Sequence, residues 1–326
     1  MTAIIILIII ALVYDYINGM HDSANIVATI VSSRAMSIRS ALVLASVAEF
    51  MGPFIIGTAV AKTIGSGIID PAVININVIL AAIVGAIAWN LLTLVLGFPS
   101  SSSHALIGGL VGAVAISSGF GSINIHGILK VLIVLFTSPV AGFGAGYLLT
   151  KLLHRVVRNA TPRINNVFKY LQIGSSALLA LNHGGNDAQK SMGIITMGLI
   201  ILNFQSGFTI PFWVILICAF ALALGIATGG MKIMKTIGSR VFRVRPIHGF
   251  SVQLSSSMII LVASLIGGPV STTHVVSSSV VGVGSSEKLS KVRWSVVTDI
   301  LISWIATLPA SALVAAMFYK LILIIV

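Results

Sequence analysis

Two short polar motifs each occur twice in this otherwise apolar chain, and each copy holds side chains that could bind ions. The first motif reads NGMHD at 18–22 and HGGND at 183–187, so each copy ends on an acid, Asp22 or Asp187. The second reads PSSSSH at 99–104 and PVSTTH at 269–274. Two different motifs that recur in the same order at nearly the same separation indicate an internal duplication.

The proline motifs could bind an oxyanion. Pro99 and Pro269 suit the first turn of a helix, where the missing N–H group costs no hydrogen bond. The hydroxyl residues that follow would lie at a helix N-terminus, where free N–H groups and the positive end of the helix dipole attract anions. We expect the anion to be held by these hydroxyls and two nearby amides: Ser101, Ser102, Ser103, Ser271, Thr272, Thr273, Asn25 and Gln189.

The two acids, Asp22 and Asp187, could bind a cation. A carboxylate repels an anion at a neighbouring site, so a cation would have to lie between the two. Oxygen atoms from Asp22, Asn25 and Asp187 suit a hard monovalent cation, together with backbone carbonyls that an unwound helix would expose. Gly19 and the pair 184–185 permit such unwinding, so we predict broken helices at both motifs. Either acid alone could instead cap a helix.

Three other polar side chains have more than one role open to them. His104 and His274 could be metal ligands or proton carriers, although we favour a role in orienting the loop, which we also assign to Asn186. Lys190 could contact the anion, pair with an acid or snorkel toward the membrane surface. The motif hydroxyls could simply bond to their own helix backbone or pack between helices. The duplication of the whole motif favours a binding role over that structural one.

The composition predicts that these motifs lie inside a membrane. The chain has 326 residues, of which 57% are hydrophobic and only 8% charged, with a mean hydropathy of +1.10. A soluble domain carries about 25% charged residues. A chain with so few charges could not cover its surface in water, so its solvent must be lipid. At roughly 20 residues per span the length allows about ten crossings, beginning with the apolar run at 3–13.

The basic residues predict the orientation of the chain. Lys and Arg concentrate in four connections, at 33–39, 151–169, 229–247 and 286–293. If the N-terminus lies outside, 15 of the 19 basic residues fall in these connections on the cytoplasmic side, as the positive-inside rule requires. The two halves of the chain would then have opposite orientations in the membrane.

The duplication and the charge pattern together predict the fold. We expect an all-α polytopic membrane protein, an inverted-topology repeat of two five-crossing halves with broken helices and re-entrant-type hairpins. Residues 1–150 would form the first repeat, 151–169 a basic cytoplasmic linker, and 170–326 the second, inverted repeat. Inverted repeats with broken helices are typical of secondary transporters.

With these motifs assembled, the chain resembles the inorganic phosphate transporter (Pit) family over essentially its whole length. The matching stretches are NGMHDSAN and GFPSSSSHALIGG in the first half, and NHGGNDAQKSMGI and GGPVSTTHVVSSSVVGVG in the second. The resemblance implies a symporter that imports phosphate by alternating access, coupled to sodium or protons, with no cofactor beyond the coupling ions. It also implies a homodimer in the plasma (cell inner) membrane, with N- and C-termini outside.

The resemblance adds two candidate ligands for the cation. Glu49, in SVAEFMG, matches a family glutamate tied to transport, and Gln253, in HGFSVQLSSS, is interpreted as its counterpart in the second half. Gln253 stands where eukaryotic members carry Glu, and His21 stands where the family usually shows Asn. The coupling ion therefore stays open between sodium, which we favour, and protons. The expected sodium ligands are Asp22, Asn25, Asp187, Glu49 and Gln253.

Other functions fit these residues less well. A net charge of +12 could indicate nucleic-acid binding, but the basic residues lie in short connections without interleaved aromatic residues. A serine hydrolase would need Ser103 and His104 to face each other, whereas neighbouring helical residues point apart. A passive anion channel would not need two acids beside the anion. Sulfate permeases and symporters of a metal–phosphate complex remain as alternatives.

Overall fold

The computed structural model describes residues 2–69, 74–229, 234 and 241–325. Within these ranges the backbone is helical, apart from connections and one isolated β-bridge between Ile69 and Ile123. Three residues that we assigned to the basic connection 229–247 lie outside the described part, namely Lys232, Lys235 and Arg240.

Eleven α-helices are described. The first six are α1 (Thr2–Ser32), α2 (Ile38–Ile56), α3 (Ala59–Lys62), α4 (Ile76–Leu96), α5 (Ser102–Ser117) and α6 (Ile125–Val156). The other five are α7 (Ile164–Ile201), α8 (Phe212–Thr228), α9 (Pro246–Leu265), α10 (Thr272–Glu287) and α11 (Trp294–Ile325). Among the described helices, α1, α2, α4, α6, α9 and α11 are long and apolar enough to cross a membrane, while α5 and α8 are shorter apolar helices. These spans support a multi-pass membrane protein.

The acidic motifs lie inside continuous helices, so the prediction of broken helices is wrong at these two places. Helix α1 runs unbroken through its motif, and α7 does the same over 38 residues. The motif glycines instead permit close helix packing. A Cβ atom at Gly19 would collide with the carbonyl oxygen of Leu222 on α8, and one at Gly184 with that of Glu49 on α2. The helix carbonyls therefore remain bonded within their helices.

The proline motifs form the turns of two helical hairpins, α4–α5 and α9–α10. Each second helix begins three residues beyond its proline, so the prolines precede the helix rather than lying in its first turn. Ser101 and Ser271 are the N-caps, and their hydroxyl oxygens accept from the backbone N–H groups of His104 (3.1 Å) and His274 (3.2 Å).

The two halves of the chain pack across each other rather than side by side. Helix α1 packs on α8 and α7 packs on α2, while α5 packs on α11 and α10 packs on α6. Each acidic-motif helix, and the second helix of each hairpin, thus has its main partner in the other half of the chain. This exchange brings the four motifs together in the middle of the bundle.

Candidate functional site

Asp22 joins α1 to the first turn of α10. Its Oδ1 accepts hydrogen bonds from the Thr273 hydroxyl and the Asn25 amide, both at 2.9 Å, and its Oδ2 accepts from the Thr272 hydroxyl at 3.4 Å. The Asn25 amide also lies 2.9 Å from the Thr273 hydroxyl. All four side chains are buried. The acid and the amide on α1 therefore contact the two threonine hydroxyls in the first turn of α10, a helix of the other half.

Asp187 makes a matched set of contacts from α7. Its Oδ2 accepts from the Lys190 ammonium at 2.8 Å and from the Asn18 amide at 3.0 Å. Lys190 also donates to the Ser102 hydroxyl of α5 at 3.2 Å. Of the three roles open to Lys190, the structure shows pairing with an acid, combined with a contact to the hairpin helix. Lys190 and Asn25 occupy equivalent positions, three residues after each acid. Each donates to its acid and contacts a hydroxyl group of a hairpin helix, but Asn25 does so with a neutral amide and Lys190 with a charged ammonium group.

His183 lies between the three carboxylates of the site. Its Nδ1 is 2.6 Å from Glu49 Oε1, and its Nε2 is 3.6 Å from Asp22 Oδ2 and 3.9 Å from Asp187 Oδ2. Our reading of the sequence did not assign His183 a role. A signal was present, because His183 precedes Asp187 by four residues and therefore shares its helix face. Glu49 is thus separated from the two aspartates by this imidazole ring.

The starts of α5 and α10 meet beside these acids. The Ser103 hydroxyl donates to the carbonyl oxygen of Val270 at 2.7 Å, and the rings of His104 and His274 lie 4.5 Å apart between centroids. His104 Nδ1 is 2.7 Å from the Ser101 hydroxyl. The ring of His274 stacks on Trp304. Two helix N-termini with their free N–H groups therefore converge, which is the arrangement that favours an oxyanion.

The structure places three of the expected residues outside this cluster. Gln189 accepts from the backbone N–H groups of Val60 (2.8 Å) and Ala61 (3.0 Å), so its amide caps α3. Asn186 donates to the Ser264 hydroxyl at 2.7 Å and so links α7 to the α9–α10 hairpin. Gln253, on α9, donates to the hydroxyl of Thr29, which lies about two helical turns from Asp22 along α1.

The expected equivalence of Glu49 and Gln253 is wrong. Glu49 lies on α2, which follows the first acidic motif, whereas Gln253 lies on α9, which precedes the second proline motif. The residue that matches Glu49 in packing is Leu222, because the motif glycines Gly184 and Gly19 abut the carbonyls of Glu49 and Leu222 in the same way. The second half therefore carries an apolar residue where the first carries a carboxylate.

Several oxygen atoms of the site are buried and unsatisfied. Within the described part of the chain, no hydrogen-bond donor meets Asp187 Oδ1, Glu49 Oε2, Asn18 Oδ1 or Asn25 Oδ1. Buried polar atoms nearly always have a partner, and carboxylate and amide oxygens are the ligands that hard cations prefer. Of the three carboxylates, Asp187 pairs with the ammonium group of Lys190, whereas Asp22 and Glu49 face the ring of His183. The chemistry of the cluster thus suits a cation at the acids and an oxyanion at the helix starts.

Known proteins are similar to this chain in sequence and in fold. The profile of the phosphate transporter family matches residues 18–163 and 154–315. A protein of Bacillus subtilis (strain 168) named probable low-affinity inorganic phosphate transporter is 44% identical, over 97% of this chain and 96% of that protein. A protein of the same name from Rhizobium meliloti (strain 1021) is 43% identical, over 96% of this chain and 94% of that protein.

The fold comparison agrees with the sequence comparison. A solved structure described as the sodium-dependent phosphate transporter superposes with a TM-score of 0.90 at 25% identity, covering 100% of both chains. These relatives are transporters rather than enzymes. The duplicated motifs, the helical architecture and these similarities lead to one conclusion: the chain belongs to the phosphate transporter family.

Proposed function

We propose that this protein imports inorganic phosphate together with sodium, by alternating access. The observation that carries the proposal is the meeting of two helix N-termini, from α5 and α10, beside the paired acids Asp22 and Asp187. Phosphate is the substrate of the family, and the structural neighbour is described as sodium-dependent.

Phosphate would bind at the two helix starts. Ser102, Ser103, Thr272 and Thr273 would offer hydroxyl and backbone N–H donors, and Lys190 would add a positive charge. The Ser101 and Ser271 hydroxyls already cap their helices, so these two residues would contribute by holding the helix starts in place. Gln189 is no longer part of the proposed phosphate site, since its amide is engaged at α3.

Sodium would bind at the acids. Asp22 and Asp187 would supply carboxylate oxygens, and the unsatisfied oxygens of Asn18 and Asn25 would complete the shell. Without a cation these carboxylates repel phosphate, and with one they do not. Such a difference in affinity is the coupling free energy that links the two ions, and it acts equally in both directions.

The inverted repeat, with halves 1–150 and 170–326, also belongs to this proposal. Reciprocal packing of α1 with α8 and α7 with α2 supports it. The basic residues flanking α1, α9 and α11 lie at one end of the bundle, which supports a cytoplasmic location for that end and outside termini in the plasma membrane. A homodimer is expected from the family resemblance, and the mass of the protein in lipid nanodiscs tests it.

Proton coupling is the second candidate, and a specific observation favours it. His183 touches Glu49 on one side and approaches both aspartates on the other, an arrangement through which a proton could pass. In that case the unsatisfied carboxylate oxygens would take up protons rather than sodium.

Uptake of labelled phosphate into proteoliposomes decides between these candidates. An imposed sodium gradient should drive accumulation, whereas a proton gradient alone should not. Accumulation with the proton gradient alone would favour the His183 route, and indifference to both gradients would favour a passive channel. Strong inhibition by equimolar sulfate would overturn phosphate as the substrate.

A further inference from the structure

Four arginines surround an open pocket of about 690 Å³ at one end of the bundle. Arg34 follows α1, Arg243 and Arg245 precede α9, and Arg293 precedes α11, and all four side chains are exposed. Among the described lining residues there is no carboxylate. Glu287 lies close enough to Arg245 to interact with its charge, and it is also paired with Lys291 and, at 2.8 Å, with His248. Positive charges gathered in a concave surface raise the local concentration of anions.

A line of buried polar side chains leads from this pocket toward the acids. Ser33, at the pocket wall, donates to Gln172 Oε1 at 2.7 Å. One turn closer to Asp22 on α1, the Thr29 hydroxyl accepts from the Gln253 amide at 3.1 Å. Gln253 Oε1 in turn accepts from the Ser175 hydroxyl at 2.8 Å. One turn beyond Thr29 on the same face is Asn25, a residue of the central site. Ser33 is eleven residues from Asp22, or about 16 Å along α1.

Several donors on the helices that form this line have no partner. Gln172 Nε2, Ser176 Oγ and Ser256 Oγ are buried, and no described residue accepts from them. The three side chains belong to α7 and α9, the helices that enclose the line together with α1. Buried polar groups without protein partners are the places where water or a passing ligand binds. The line is therefore suited to a hydrated anion rather than to an apolar molecule.

We propose that the four-arginine pocket is a second, weaker phosphate site, through which phosphate passes between the central site and the compartment at this end. The ligand is a phosphate oxyanion, which the planar guanidinium groups can bind in a bidentate manner. An anionic lipid headgroup offers the same chemistry, but the polar line that runs inward from the pocket favours free phosphate. This inference rests on the proposed function, since it requires phosphate to be the transported ion.

The transport test compares two double variants in membrane vesicles of both orientations. R34Q/R293Q removes two charges from the pocket, and the control R39Q/K288Q removes two exposed charges from the same connections outside it. The phosphate concentration that half-saturates transport starting at the pocket face should rise about tenfold in R34Q/R293Q, the low end of electrostatic focusing. Transport starting at the opposite face should be unchanged, which also shows that the variant folds. Equal behaviour of the two variants would overturn the inference.

A second experiment measures phosphate binding at the pocket independently of transport. Inorganic phosphate should slow the modification of Arg34 and Arg293 by phenylglyoxal several-fold, with Arg39 unaffected, in nanodiscs of zwitterionic lipid. Protection that appears only with anionic lipid, and without added phosphate, would identify a headgroup site and contradict the proposal. If phosphate protects the arginines but vesicles show no phosphate transport, the proposed function fails and not the binding site.

Discussion

The two ends of the α1–α7 pair differ sharply, although the motif between them is duplicated. Toward the arginine pocket, the interface contains Thr29, Ser33 and Gln172. At the other end, the positions that match these three when the acidic motifs are aligned are occupied by Ile194, Gly198 and Leu7. At these matched positions one end is polar and the other is apolar, with Leu7 and Ile194 in the hydrophobic core, although a buried pair of Asp15 and Ser191 also lies on the apolar side.

The first helices of the two hairpins, α9 and α4, show the same difference. When the proline motifs are aligned, Gln253 on α9 is matched by Ile83 on α4. Ser256 is likewise matched by Ala86. Both apolar residues are buried in the hydrophobic core at the end away from the arginine pocket. The contrast between the two ends therefore extends from the acidic-motif helices to the hairpins.

The packing of one matched pair shows what this difference means. The Ser33 hydroxyl bonds to Gln172, whereas a Cβ atom at Gly198 would collide with the side chain of Leu7. The apolar end is closed at this pair by direct contact between Gly198 and Leu7, whereas the polar end is held at Ser33 by a hydrogen bond that water can replace. The motifs of the central site are duplicated, but the helix contacts on its two sides are not equivalent.

The largest expected effect comes from the acids at the centre of the comparison. Asp22→Asn and Asp187→Asn should each reduce sodium-driven phosphate uptake to background, because the neutral amide no longer attracts the coupling ion. Initial uptake rates in proteoliposomes check this. Asp299→Asn, an exposed acid on α11, is the matched control and should retain wild-type uptake. Normal uptake by both central variants would refute the cation role of the acids.

Lys190 is the point at which the two acidic motifs differ most. Lys190→Met leaves Asp187 without its buried ammonium partner and should lower the free energy of unfolding by about 3–5 kcal/mol. Lys190→Asn, which copies the first motif, should cost less because the amide can still donate to Asp187. Thermal unfolding in detergent measures both variants. A larger loss for Lys190→Asn than for Lys190→Met would show that the matched positions are not equivalent.

The motif glycines test whether the two halves pack alike. Gly19→Ala and Gly184→Ala should each destabilise the protein by about 1–3 kcal/mol, since the new methyl group meets a backbone carbonyl. Gly174→Ala, on α7 with nothing within 4 Å, should instead stabilise by roughly 0.5–1 kcal/mol through helix propensity. Unfolding temperatures of the three variants provide the comparison. Tolerance of alanine at both motif glycines would contradict the close packing of α1 on α8 and of α7 on α2.

Access from water gives the smallest expected difference and the finest test of the two ends. Ala11 and Ser176 are matched positions and are both buried. In a background with Cys218→Ala, Ser176→Cys should react several-fold faster with a water-soluble thiol reagent than Ala11→Cys. Mass spectrometry of the labelled protein gives both rates. Faster labelling at position 11 would mean that the apolar end is the hydrated one.

The duplicated motifs made much of the site predictable. Proline followed by hydroxyl residues marks a helix start locally, so Ser102 and Thr272 could be placed without a structure. The paired acids were likewise visible, because chance does not produce such spacing. Membrane character followed from composition alone, since so few charges cannot cover a soluble surface.

Other features depend on partners that a linear sequence does not show. A glycine in a helix that permits close packing looks the same as one that breaks the helix, so Gly19 and Gly184 were misinterpreted. Gln189 sits beside the second acid in sequence, yet its amide points to α3. Gln253 was paired with Glu49 by local similarity. The two lie on helices that do not correspond in the two halves, because α2 follows the first acidic motif and α9 precedes the second proline motif. His183 gains its role from Glu49 and Asp22, which lie on two other helices.

Equilibrium binding of phosphate to the purified protein, measured by calorimetry with and without sodium, tests the central claim most directly. If a cation at Asp22 and Asp187 permits phosphate to bind at the helix starts, sodium should raise the phosphate affinity. Phosphate should raise the sodium affinity by the same factor, and both effects should vanish in Asp22→Asn. Equal phosphate affinity with sodium and with an inert cation of the same ionic strength would contradict the account.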